Sequence, residues 1–73
     1  MEKSQIHTSV RKSDMAHRYN PESPLDSALK ILRRWILYNQ DLHSELVKAG
    51  YSATQRTFTP KQVNILYKYL GEP

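Results

Sequence analysis

From residue 23 onward the apolar positions fall into three runs at helical spacing. Leu25, Ala28, Leu29, Leu32 and Ile36 recur every three or four residues, which predicts a helix over 24–38 with one core-facing side. Ser23 stands where an N-cap belongs, and Pro24 stands at the first helical position, where a missing N–H leaves nothing unpaired. Asp26 suits the positive end of that helix dipole. Asn39 offers a second cap, Asp41 follows in the first turn, and Leu42, Leu46 and Ala49 repeat at i, i+4, i+7. This second helix is expected over 40–49, with Lys48 in its last turn and Gly50 as its stop. A left-handed Gly50 brings Tyr51 back onto Leu46. The sharpest local signal is Phe58-Thr59-Pro60-Lys61-Gln62-Val63. Thr59 caps, Pro60 starts the helix, Gln62 closes a capping box, and Phe58 and Val63 are spaced as a hydrophobic staple. Val63, Leu66, Tyr67 and Leu70 then give a helix over 60–70, ended by Gly71.

The first 22 residues show no such period. Ile6, Val10, Met15 and Tyr19 are scattered among polar groups, a pattern that buries too little apolar surface to offset the entropy of ordering. The expected architecture is therefore all-α. A flexible, disordered arm over 1–22 precedes a helical domain over 23–73, a small bundle of three main short helices. Ser52 with Gln55 can cap one extra helical turn between the second and third.

Composition narrows the function classes. A chain of 73 residues has room for one small domain, which buries about 60% of its unfolded surface. There is no cysteine, hence no disulfide or thiolate site. His7, His17 and His43 lack metal-ligand spacing, so no metal and no cofactor are expected. Nor is a catalytic centre: there is no Gly-rich phosphate loop, and Asp41, His43 and Ser44 point in different directions on one helix. No apolar run reaches membrane-spanning length. The expectation is a soluble protein, monomeric when free. The net charge is +4, and the excess falls mainly in residues 23–73. Such a field suits an acidic partner but is milder than the basic stripe of a dedicated nucleic-acid binder.

Surface chemistry supplies the candidate site. Ile31, Trp35 and Tyr38 form a second stripe on the first predicted helix, beside the core face, with Arg34 next to it. On the third, Ile65 and Tyr69 lie off the main face, with Lys61 and Lys68 nearby. Aromatic residues beside cations are the residue types of interaction hot spots, so Ile31, Arg34, Trp35, Tyr38, Lys61, Lys68 and Tyr69 are the expected partner-binding residues. The competing reading is that Trp35 and Ile31 complete the core of a small bundle.

Two resemblances extend this reading. The stretch GYSATQRT, residues 50–57, is similar to the turn and recognition-helix start of arginine-repressor winged helices. That likeness implies a helix-turn-helix DNA-binding repressor with Gln55 and Arg56 reading DNA. Pro60 departs from the pattern, because it falls inside the helix such a reading requires. The second resemblance covers the whole chain. Its length, N-terminal arm and helical body ending in YSATQRTFTPKQVNILYKYLGEP resemble a small transcription regulator of a lytic Xanthomonas phage. The resemblance implies binding to the catalytic subunits of bacterial RNA polymerase in the cytoplasm of the host. It further implies inhibition of initiation by sigma-factor displacement, and an effect on termination (antitermination). On that reading direct DNA binding is weak or absent.

Overall fold

The computed structural model describes residues 8–73. The chain runs β1 (Val10–Arg11), α1 (Lys12–Tyr19), α2 (Leu25–Tyr38), α3 (Gln40–Lys48), β2 (Thr57–Phe58) and α4 (Pro60–Leu70). The domain is thus mostly helical, with four helices and a two-stranded antiparallel ribbon in which Val10 faces Phe58 and Arg11 faces Thr57. The ribbon is extended by Lys12 N–H donating to the Arg56 carbonyl at 2.9 Å. Among the described residues no helix is long and apolar enough to cross a membrane.

The three predicted helices form at nearly the expected boundaries, because their ends carry local chemistry. The Asn39 side chain accepts from Leu42 N–H at 3.1 Å. At the other end of α3, Gly50 has φ +89°. Gly50 N–H donates to the Val47 carbonyl at 3.0 Å and Tyr51 N–H to the Leu46 carbonyl at 2.8 Å, the paired bonds of a Schellman stop. The capping box of α4 is complete: Gln62 N–H donates to Thr59 Oγ1 at 3.2 Å and Thr59 N–H to Gln62 Oε1 at 3.0 Å. Phe58 and Val63, the staple pair, are both in the core. The start of α2 differs from expectation. Pro24 is the N-cap, and no side chain, Ser23 included, closes it. Leu25 in the first turn is exposed rather than in the core.

The larger correction concerns the expected arm. Residues 10–19 are not disordered but form β1 and α1, while residues 1–7 of that arm lie outside the described residues. Met15 and Ala16 are completely buried and Val10 nearly so. An eight-residue helix has little stability of its own, so α1 exists because it packs, most extensively against α2. Its apolar stripe is only Met15, Ala16 and Tyr19, too narrow to register as a period. Asp14 in the first turn and His17 and Arg18 in the last do match the dipole, and Pro21 follows the end.

All six elements contribute to one core. Ala28, Leu32 and Ile36 of α2 and Leu42 and Leu46 of α3 meet Phe58 of β2, together with Val63, Ile65 and Leu66 of α4. Ile65, expected off the main face, belongs to this core. The Ser52–Gln55 segment is a turn rather than a helical turn. Gln55 N–H donates to the Ser52 carbonyl at 3.2 Å, and Ser52 N–H donates to Gln55 Oε1 at 2.8 Å.

Candidate functional site

Each residue of a helix turns about 100° from the last, so the positions beside the buried Ala28–Leu32–Ile36 stripe divide into two flanks. Ile31, Trp35 and Tyr38 share one. Trp35 meets Tyr19 of α1 edge-on, with ring centroids 5.8 Å apart. The flank that looked spare is thus partly occupied by the helix the periodicity did not reveal. Ile31 is half-buried, Trp35 is 36% exposed, and only Tyr38, at 79%, stands well clear. Arg34 is exposed beside it.

The other flank carries Leu29, Arg33 and Lys30, and it faces the segment joining α3 to β2. A pocket of about 260 Å3 opens there. Its floor is Leu29, Leu32, Ile36 and Phe58, with Tyr51 as a wall and Lys12, Lys30 and Arg33 around it. Tyr51 is fixed by the Schellman stop and stacks on Phe58 at 6.1 Å between centroids. Lys12 is fixed at the junction of β1 and α1. Its Nζ donates to the Ser52 and Ala53 carbonyls at 3.2 and 3.0 Å and lies 4.9 Å from the centre of the Tyr51 ring. Partial burial, then the neighbouring Arg33 charge, lower the Lys12 pKa below its ordinary value. Burial raises the Tyr51 pKa, against the opposing pull of Arg33.

Two shallower hollows continue the pocket. One, of about 560 Å3, shares Lys12 and Leu29 with it and adds Arg11, Arg56 and Gln55. The other, of about 280 Å3, shares Lys30 and Arg33 and adds Arg34, Leu37 and Tyr38. The three make one band bearing Arg11, Lys12, Lys30, Arg33, Arg34 and Arg56, six of the chain's 11 lysines and arginines. Among the described residues no carboxylate and no histidine lines it. Arg33 repels Lys12 in the free protein, and an anionic partner relieves such repulsion.

The remaining expected residues divide unevenly. Tyr69 OH donates to Glu45 of α3, and Lys68 Nζ lies 3.4 Å from the same carboxylate, so both engage an internal partner. The Tyr69 hydrogen bond, helped by Lys68, holds the Glu45 carboxyl below its usual range, and Glu45 pushes Tyr69 up to about 12. Lys61 is exposed in the first turn of α4. Gln55 is half-buried, and its amide donates to the Thr57 carbonyl at 2.9 Å and to Gln62 Oε1 at 2.7 Å, so it engages internal partners. Arg56 is exposed, yet it sits on a turn and not on a recognition helix, since no helix begins between Gly50 and Pro60. Lys12, Arg33 and Tyr51, which sit on three separated segments, are not among the expected partner-binding residues. Only the i, i+3, i+4 spacing of Lys30, Arg33 and Arg34 hinted at the band.

A family model described as a domain of unknown function, DUF4248, matches residues 6–73. The chain belongs to the DUF4248 family. The DUF4248 match begins before β1 and so takes in α1 with the rest of the fold. No curated protein and no solved structure matches the chain.

Proposed function

We propose that this DUF4248 domain is a non-catalytic protein-binding module that holds an acidic protein surface against the band along α2. The observation that carries the reading is the run of six cations through three adjoining hollows with no carboxylate lining them. A protein partner fits better than nucleic acid because the central pocket is floored by aliphatic side chains and Phe58. Phosphates gain nothing from such a floor, whereas a buried apolar anchor ringed by polar contacts is the usual anatomy of a protein interface. The module works by occupancy, displacing or blocking another contact of its partner. The resemblance to the phage regulator makes bacterial RNA polymerase the first partner to try, with release of the sigma factor as the consequence.

Binding of the wild-type chain and an Arg33→Glu/Arg34→Glu variant to purified bacterial RNA polymerase, with duplex DNA as the comparison, tests this. The expected result is tight polymerase binding, weakened about tenfold or more by charge reversal, and only weak DNA binding at physiological salt. Nanomolar, sequence-selective DNA binding overturns the protein-partner reading. Polymerase binding indifferent to charge reversal removes the band from it.

A further inference from the structure

The order of chemistry along the band specifies the partner more closely, on the reading that the partner is an acidic protein. Arg11 and Arg56 stand at one end, and Arg34 and Tyr38 at the other. Between them lies the pocket floored by Leu29, Leu32, Ile36 and Phe58. One hollow adjoins the pocket at Lys12 and Leu29 and the other at Lys30 and Arg33, so chain leaving the pocket has a hollow to enter beside each pair. At about 260 Å3 the pocket is below the usual range for whole small ligands and on the scale of one large side chain.

We propose that the band binds an extended peptide segment in which one large aliphatic or aromatic residue is flanked on both sides by Asp or Glu, the apolar side chain entering the pocket between α2 and the Tyr51–Phe58 segment. Its carboxylates then meet Lys12, Arg11 and Arg56 on one side and Lys30, Arg33 and Arg34 on the other. Charge complementarity selects the acids. The apolar floor selects what sits between them, because a purely acidic strand leaves the pocket unfilled. Lys12 has a further part: with its Nζ held by the Ser52 and Ala53 carbonyls, it keeps a cation fixed at the pocket edge before any partner arrives. Arg33 lies close enough to lower the Lys12 pKa, and a bound carboxylate removes that repulsion.

The test uses short fluorescein-labelled peptides followed by fluorescence anisotropy on the full chain. One carries Asp and Glu on both sides of a single Leu, the second has Ala in place of the Leu, the third is all Glu, and a single-stranded oligonucleotide of equal charge is the fourth. The leucine peptide is expected to bind about tenfold or more tightly than the alanine peptide, the ratio surviving added salt while both affinities fall. Ala53→Phe, in the exposed part of the pocket lining, is expected to abolish that preference. Arg33→Glu is expected to weaken all three peptides, with circular dichroism confirming that each variant is folded. Equal affinity for the leucine and alanine peptides overturns the inference while leaving the acidic-protein reading intact. The same holds if no peptide binds although polymerase binding remains sensitive to charge reversal. An oligonucleotide that outcompetes every peptide overturns both.

Discussion

Among the described residues, one polar side chain is buried with the core, and its amide joins three segments. Gln62 is 1% exposed. Its Oε1 accepts from Thr59 N–H at 3.0 Å and from the Gln55 amide at 2.7 Å, and its Nε2 donates to the Ala49 carbonyl at 3.1 Å. The capping box was legible from Thr59 and Gln62 alone. The bond to Ala49 was not, because it depends on where the end of α3 lies relative to the start of α4. Thr59→Ala is expected to cost about 0.5–2 kcal/mol as loss of a cap. Gln62→Ala takes the partner from Thr59 N–H and from the Ala49 carbonyl and one of two bonds from the Gln55 amide, and is expected to cost more, about 3 kcal/mol. Urea unfolding of the two variants checks the order, and equal costs would show that the bridge to Ala49 contributes nothing. The Tyr69–Glu45 pair gives a pH signature. Glu45 titrates below its usual range, so its contribution holds above the ordinary carboxylate pKa and is lost as pH falls through the depressed value. Tyr69 titrates at about 12, so its contribution holds below its ordinary value of 10.0 and is lost as pH rises through about 12. The melting-temperature difference between wild type and Tyr69→Phe is therefore expected to be widest near neutrality and to close at both extremes.

At the scale of elements, what could be read in advance was whatever is specified within a few residues. The boundaries of α3 and α4 follow from Asn39, Gly50, Thr59 and Pro60, each acting on its own neighbours. The segment before residue 20 was not legible for the opposite reason: β1 needs Thr57 and Phe58 opposite it, and α1 needs the side of α2. Neither condition is written near residues 10–19. The consequence is measurable, since Met15 is wholly buried and Met15→Ala is expected to cost about 2–5 kcal/mol. A chain beginning after Tyr19 is expected to lose cooperative unfolding, because Val10, Met15 and Ala16 go with it. A truncated chain that melts like the full-length one would return α1 to the status of an appendage. The same omission explains the misjudged flank of α2: Trp35 looked unaccompanied only while Tyr19 had no place in the fold.

Over the whole molecule, the cationic character was visible as a net charge of +4 but its distribution was not. Arg11 and Lys12, Lys30 to Arg34, and Arg56 are far apart in the chain, and only the closing of the ribbon sets them along one band. Tyr38 and Arg34 from the anticipated surface lie at its end, while Lys68 and Tyr69 turn to Glu45. The ribbon has a kinetic meaning as well. Contacts of α3 with α2 and with α4 join neighbours in sequence, whereas Val10 and Phe58 are roughly 50 residues apart, so the ribbon closes a long loop and bears a correspondingly large closure entropy. Such a contact is expected to form late in folding and to be an early point of local opening. Because Arg11 and Lys12 lie on that late-arriving strap, one wall of the band exists only while the strap is latched. A partner seated in the proposed band is expected to act as a clasp on the N-terminal segment, and amide exchange measured with and without it is expected to slow in the ribbon and α1 while the inner turns of α4 stay unchanged.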